Sequence, residues 1–285
     1  MIDEGVISQF IGRQRTEHDI ASVRSARGLA ALLDHENPPW NSGELPPLGH
    51  WLCFPPATGQ SKLGVDGHPL RTPDGLLPPV DLPRRMWAGS RVQFAEAIKL
   101  GTAVQRRSTV LAATPKSGRT GAMLFVTLKH EIIRADGVIA IVEEQDIVYR
   151  EATRSDAPAP PPEALPPPTA TLVRNVVPDS TMLFRYSALT FNAHRIHYDG
   201  EYARNVEGYE ALVVHGPYVA TLLMDHLLRQ ITGITVTAFR FRARAAAFEG
   251  QPLSLCLTDT GDGAELTAIG PSGVAMTATA EFLRL

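Results

Sequence analysis

Residues 157–168 read Ala-Pro-Ala-Pro-Pro-Pro-Glu-Ala-Leu-Pro-Pro-Pro, and no other stretch restricts the fold as tightly. Proline lacks the N–H that a sheet ladder or a helix interior requires, so this density excludes both and favours polyproline II. At ~3.1 Å per residue such a segment reaches roughly 37 Å. A chain of 285 residues already exceeds the ~100–200 residues of a single domain. The segment divides it into a first half at residues 1–155, a linker at 156–169 and a second half at 170–285.

In the first half, Ile20, Val23, Ala26, Leu29, Ala30 and Leu33 recur at helical spacing, which predicts an amphipathic helix over Thr16–Leu33. Residues 37–83 are rich in Pro and Gly and carry Trp40, Trp51 and Phe54. A loop of that length in a compact domain serves as a lid or a binding surface. From Arg91 onward the pattern is that of strands, at Val104–Ala112, Met123–Arg134 and Val138–Val148.

The second half repeats this grammar. A strand is expected at Thr171–Val177, a short helix at Thr181–Thr190, and then a His-rich loop. Asp199 suits the cap of a further short helix over Gly200–Asn205. Pro217 opens a long helix, Val219, Leu222, Leu223, Leu227 and Ile231 mark its buried face, and Gly233 its stop. From Phe239 to Ala247 apolar residues alternate with Arg240, Arg242 and Arg244, the period of a strand. Leu253, Leu255, Leu257 and the run Val274–Leu283 continue the sheet. The class is α+β, with antiparallel sheets wrapping helices.

With 44% apolar and 20% charged residues the chain can bury ordinary cores, and its net charge of −3 offers no general attraction to nucleic acid or anionic lipid. Cys53 and Cys256 have no partner spacing and are expected as buried thiols in a reducing compartment. The start Met-Ile-Asp-Glu-Gly has no basic-then-apolar leader, and no run of ~18 apolar residues occurs. The expectation is a cytoplasmic protein with no membrane or nucleic-acid partner.

Chemistry is concentrated in Thr190-Phe-Asn-Ala-His-Arg-Ile-His-Tyr-Asp199 and in Val213-Val-His-Gly-Pro217. Two histidines three apart supply a proton-transfer group, an asparagine five before the second supplies a hydrogen-bonding partner, and a Gly-Pro helix start supplies backbone N–H donors. Such parts suit addition of water to a polarised double bond. A zinc site from His194, His197 and His215 lacks a cysteine or acidic ligand at a convincing spacing, so no metal is expected. Gly-rich phosphate motifs and nucleotide fingerprints are absent.

Arg185-Tyr-Ser-Ala-Leu-Thr-Phe-Asn-Ala-His-Arg-Ile-His-Tyr-Asp199, with Glu207-Gly-Tyr and Leu212-Val-Val-His-Gly-Pro217, resembles the MaoC-type hot-dog hydratases. The resemblance is to the double hot-dog subgroup that includes mesaconyl-C4-CoA hydratases and type 2 3-hydroxyacyl-thioester dehydratases. Pro83-Arg-Arg-Met-Trp-Ala-Gly89 and Glu143-Glu-Gln-Asp-Ile-Val-Tyr149 extend it to the first half. It implies two hot-dog halves, the second catalytic, which supply within one chain what a single-domain homodimer supplies by symmetry; a homo-oligomer is compatible with this.

The wider pattern of that family is Asp-x-Asn-Pro-x-His. With its histidine on His197, Asn192 takes the place of the aspartate, His194 of the asparagine and Arg195 of the proline. Asparagine in the first position agrees with the type 2 subgroup. The resemblance implies His197 as acid–base group, Asn192 as the residue holding water or orienting the ring, and the Gly216 N–H as donor to an enolate-like thioester oxygen. It implies an acyl-CoA as substrate, with no cofactor beyond the CoA of that thioester. Arg185, Arg195, Arg242 and Arg244 are candidates for a CoA phosphate or a substrate carboxylate, with Arg84 and Arg85 able to reach in from the first half. A short dicarboxylic enoyl-CoA of the mesaconyl or itaconyl type is the expected substrate. A general 3-hydroxyacyl-thioester dehydratase, a thioesterase and an acyl-CoA-binding protein remain alternatives.

Overall fold

The computed structural model describes residues 4–118, 121–151, 170 and 172–285; the proline-rich linker lies outside the described residues. The first half runs α1 (Glu4–Ser8), β1 (Gln14–Ile20), α2 (Val23–Leu32), a long irregular segment with two 3-10 turns, then β2 (Arg84–Phe94), β3 (Ala103–Gly118), β4 (Gly121–Arg134) and β5 (Ile139–Arg150). The second runs β6 (Leu172–Val176), α3 (Ser180–Thr190), a 3-10 turn at Arg195–His197, α4 (Gly200–Asn205), α5 (Gly216–Gln230), β7 (Ile234–Ala243), β8 (Leu253–Asp259), β9 (Gly263–Gly270) and β10 (Gly273–Arg284).

The helix expected over Thr16–Leu33 divides. Thr16 to Ile20 belong to β1, which pairs with β3, and the helix starts only after Ser22, whose hydroxyl accepts from the Ser25 N–H. The helical spacing was real from Val23 onward, but Ile20, counted as its first member, is 56% exposed on an edge strand. Strand structure begins at Arg84 rather than Arg91, and β7 ends at Ala243, short of the alternation that runs on to Ala247.

The strands form one sheet in the order β1-β3-β4-β5-β2-β7-β10-β9-β8-β6. The two half-sheets expected, one per half, are therefore joined edge to edge through antiparallel pairing of β2 with β7. Gly89 makes the seam possible: it sits at a register shift in β2, and a Cβ there would overlap the Phe241 carbonyl oxygen of β7.

Helix α5 lies in the concavity of the second half-sheet, with every residue from Tyr218 to Leu228 buried. Its core partners Phe239, Leu255, Leu266 and Ala278 alternate inward on β7 to β10, as the period of a half-buried strand requires. The same cluster continues into the first half through Leu29, Leu33, Val92, Ile98 and Ile141, so one core underlies both halves. A buried carboxylate locks them. Asp225 of α5 pairs with Arg229 at 2.9 Å, with Arg174 of β6 at 2.7 Å and with His35, beyond α2, at 2.5 Å. Removing one partner from such a buried charge costs about 3–5 kcal/mol.

Candidate active site

Two capped helices hold the His-rich stretch between them. Asp179 caps α3 through the Met182 N–H, and the helix ends on Phe191 in the left-handed region. Asp199 caps α4 by accepting from the Tyr202 N–H, as expected. Between them the Asn192 side-chain oxygen accepts from the His194 N–H at 2.9 Å, an Asx turn that folds the chain back. The 3-10 turn follows and delivers His197.

The His197 ring is set by its neighbours. Nδ1 lies 2.7 Å from the Val213 carbonyl; a carbonyl only accepts, so Nδ1 carries the proton and Nε2 keeps its lone pair. His215 stacks on the other face, centroids 3.6 Å apart and planes 20° from parallel, and its Nε2 bonds the Ser187 hydroxyl at 2.8 Å. Burial pushes His197 down to about 4, the Val213 bond partly opposing this, and His215 well below the imidazole range. Both rings are neutral at pH 7.

The N-terminus of α5 adjoins this pair. Gly216 is its first residue, so its N–H has no partner one turn back. A Cβ there would meet only the Trp87 carbonyl, at 3.8 Å, so the position opens onto the cleft that Gly216 lines.

The long loop of the first half covers the His-rich turn. Gly67, at φ +87°, lies so close over Ala193 that a Cβ would overlap its carbonyl oxygen. The Arg195 N–H donates to the Asp66 carbonyl at 2.9 Å. The His68 ring sits 4.1 Å from that of His194, and its Nδ1 bonds the Asp66 carboxylate at 3.0 Å. Burial disfavours the Asp66 charge, but the His68 bonds outweigh it and hold the carboxyl at about 2. Burial, aided by the fields of His68 and His197, drops His194 to about 2.

His194, His197 and His215 do not form a ligand set. The group that converges is Asp66, His68 and His194, whose ligand atoms lie within 4.8 Å of one another. Two imidazoles and a carboxylate are a donor set that suits zinc, although both Asp66 oxygens already accept from His68.

The cleft between the halves has a volume of about 3010 Å³. Asn192, His194, His197, His215 and Gly216 of the second half line it together with His68, Arg85, His130, Glu143 and Gln145 of the first. Glu143 is buried and accepts from the Ser90 hydroxyl at 2.6 Å and from Trp51 Nε1 at 3.0 Å, with His50 Nε2 also at 3.0 Å. Burial would raise its pKa, but these partners win and hold it at about 2. His130 bridges Ser108 and Gln145 beside it.

The arginines fall differently from expectation. Arg195 is bonded to Asp199 and the Val65 carbonyl and lies over the Tyr202 ring. Arg185 and Arg242 are exposed, and none of these three lines the cleft. Arg244 does, exposed at its edge, while Arg84 is held by Glu207. Proximity in sequence misled here, because Arg195 is drawn to Asp199 and the Val65 carbonyl and lies outside the cleft that His197 lines. Asp66, His68, Arg85, His130 and Glu143 were not singled out as a group; the long loop signalled a binding surface, but nothing local ties His68 to His194, some 125 residues later.

Residues 47–249 match the hydroxyacyl-thioester dehydratase type 2 family. The chain is 45% identical over 275 residues to mesaconyl-C(4)-CoA hydratase of Chloroflexus aurantiacus, covering 96% of each chain. It is 27% identical to the mitochondrial hydroxyacyl-thioester dehydratase type 2 of Schizosaccharomyces pombe, covering 76% of this chain and 79% of that one. Its fold is similar to the crystal structure of a MaoC-like dehydratase from Phytophthora capsici, with a TM-score of 0.72 at 15% identity, covering 99% and 98% of the two chains. A Mycobacterium tuberculosis protein described as a double hotdog aligns with a TM-score of 0.60 at 15% identity over 96% of each chain. The architecture is the double hot-dog.

Proposed function

This chain belongs to the hydroxyacyl-thioester dehydratase type 2 family, and from that membership we propose that it is a hydro-lyase adding water to a short dicarboxylic enoyl-CoA, of the mesaconyl-C4 or itaconyl type. The observation that carries this is the His197 tautomer: Nδ1–H fixed on Val213 O, Nε2 free, and a helix N-terminus alongside. Nε2 takes a proton from water while the hydroxyl adds to the β-carbon. The electrons pass to the thioester oxygen, which the Gly216 N–H stabilises as it becomes enolate-like. The same Nε2 proton then goes to the α-carbon, so hydrogen and hydroxyl add across one double bond and His197 returns to its starting state. The Asn192 oxygen is engaged in its own turn, which leaves its amide N–H groups to hold the water. No step calls for a cofactor beyond the CoA of the substrate.

The first half acts as the non-catalytic half that supplies the opposite wall, and the polarity of that wall favours a short acyl group. A long alkyl tail would press against Glu143, His130 and Gln145 and strip water from them without replacing its hydrogen bonds. Arg244, at the cleft edge, suits a CoA phosphate. Among the described residues no helix is long and apolar enough to cross a membrane, and a cytoplasmic acyl-CoA pool suits such an enzyme.

The second reading, a dehydratase of straight-chain 3-hydroxyacyl thioesters, has the name of the yeast relative in its favour. Incubation with mesaconyl-C4-CoA, crotonyl-CoA and a longer straight-chain enoyl-CoA decides between them, by following loss of the conjugated thioester absorbance beside release of free CoA thiol. Absorbance loss without thiol, fastest with mesaconyl-C4-CoA by at least roughly 10²-fold in kcat/KM, is expected. Equal or faster turnover of the straight chains would leave the dehydratase reading, and thiol release a thioesterase.

A further inference from the structure

In an enoyl-CoA whose β-carbon bears a carboxylate, that anion lies within two bond lengths of the carbon that water attacks. Whatever receives it must therefore stand in the cleft beside His197. The cleft is lined more by apolar than by polar surface, so a carboxylate that enters it without a partner loses hydration that nothing replaces.

Most cations near the site are engaged elsewhere. Arg84 bonds Glu207 and lies over Tyr209, and Arg195 bonds Asp199. Arg71 donates to the Leu82 carbonyl and lies over Tyr149, and Arg106 pairs with Glu17. Arg85 differs. It is half-buried, lines the cleft, and, like the other lining cations Lys62, Arg150 and Arg204, has neither an ion pair nor a hydrogen-bonded side-chain partner among the described residues; what sets it apart from those three is its closeness to the histidines. Its charge acts on both His68 and His194; the His194 ring adjoins that of His197, and the His68 ring adjoins that of His194.

Strand geometry adds a second argument. Arg85 and Trp87 are two apart on β2, before its register shift, so their side chains share a face roughly 7 Å apart along the strand. The Trp87 carbonyl is the group next to Gly216. The same strand thus places Arg85 two residues from the carbonyl beside Gly216, a separation that the long side chain of arginine can span.

We propose that Arg85 receives the free carboxylate of the substrate and thereby selects a dicarboxylic acyl group over an alkyl one. The guanidinium fork bonds both oxygens in one plane, and the neutral, deeply buried His194 beside it adds no competing charge. This rests on the hydratase reading of the same cleft.

The test compares mesaconyl-C4-CoA with 3-methylcrotonyl-CoA, in which a methyl group replaces the carboxylate, on wild-type protein, Arg85→Gln and Arg85→Lys. The wild-type ratio of kcat/KM for the two esters is expected to fall by at least roughly 10²-fold in Arg85→Gln, with partial recovery in Arg85→Lys, which restores the charge but not the fork. An unchanged ratio, including equal losses on both esters, overturns the proposal. A binding arm uses the saturated esters methylsuccinyl-C4-CoA and isovaleryl-CoA, measured by calorimetry on the same proteins. Wild type should bind the carboxylate-bearing ester at least about tenfold more tightly, a margin that Arg85→Gln abolishes. If wild type hydrates neither enoyl ester, the hydratase reading falls, and the binding arm still decides Arg85: a margin that survives Arg85→Gln, or none in wild type, rejects it.

Discussion

The ring of His215 lies flat against that of His197, 3.6 Å away, while its own Nε2 is tied to Ser187. His215 therefore acts as a positioning residue: it walls His197 from water and fixes the direction of Nε2. Replacing it with Ala opens a ring-sized gap, which should lower kcat about tenfold or more. With burial relieved, the acid limb of kcat/KM should move up toward the ~6.5 of free imidazole. A lower kcat with an unmoved limb would mean that His215 supports only the fold.

His197→Ala should reduce hydration by at least ~10²-fold, the scale of a general acid–base group. Asn192 needs two variants, because its side chain has two tasks. Asn192→Asp keeps an oxygen for the His194 N–H and so should keep the melting temperature, while losing the amide that holds water and hence most of the rate. Asn192→Ala should lose both. Full activity in Asn192→Asp would reduce Asn192 to a turn residue.

Burial sets two separate pH windows. His197 sits at about 4, so the base form persists through the neutral range and fails only as pH falls through about 4; kcat/KM should be flat on its acid side from pH 8 to 5. Stability responds earlier. Burial holds His68, His130, His194, His215 and His226 below their ordinary 6.5 as well. Where these stay neutral the unfolded chain binds protons, so their contribution is complete above 6.5 and declines as pH falls toward the folded values. Asp66 and Glu143, both held at about 2, add a loss of the same sign below their unfolded values of 3.8 and 4.5. Melting temperatures recorded from pH 7.5 to 4.5 should fall steadily below 6.5; a flat curve to pH 5 would show that the rings are hydrated in solution.

Gly67→Ala changes no group that touches substrate, yet it should impair catalysis. The added methyl meets the Ala193 carbonyl, and φ of +87° strains any side chain. The loop must lift from the His-rich turn, releasing Asp66 from the Arg195 N–H. Loss of kcat with a melting temperature lowered by a few degrees is the expected pair; wild-type kinetics would show that loop contact unnecessary for the site.

Residues 170–285 alone should be inactive or insoluble. Cutting the chain exposes the β7 edge that β2 covers, removes the His35 partner of buried Asp225, and strips the cleft of one wall. Turnover by this fragment at the rate of the whole chain would place the entire site in the second half.

The His-rich loop was legible because its signals are local: Asp199 caps a helix and Pro217 opens one, whereas the Asp179 cap of α3 was not read from the sequence. Helix α5 was legible for the same reason, although the face marked by Val219, Leu222, Leu223 and Leu227 is only part of what is buried: Asp225 and His226 are buried as well. What could not be read were the pairings across the halves. His68 against His194, Gly67 on Ala193 and β2 beside β7 depend on register and loop path, which no short window contains. The placing of the arginines was hidden for a related reason: neighbours in sequence need not share surroundings, and of Arg84 and Arg85, adjacent in β2, the first is held by Glu207 while the second has no such partner among the described residues.

The seam at Gly89 has a bearing on how the chain is made. Gly89 pairs with Arg242, about 150 residues later. At ~5–20 residues per second of synthesis, β2 leaves the ribosome roughly 8–30 s before the strand that will complete its edge. Through that interval the nascent first half carries an open row of N–H and C=O groups, a template for pairing with another nascent copy. Closing so long a loop is also the costly step of topology that slows folding. The join that builds one cleft from two halves thus leaves the first half's edge open for longer than any pairing within that half, and is a place where two chains could tangle.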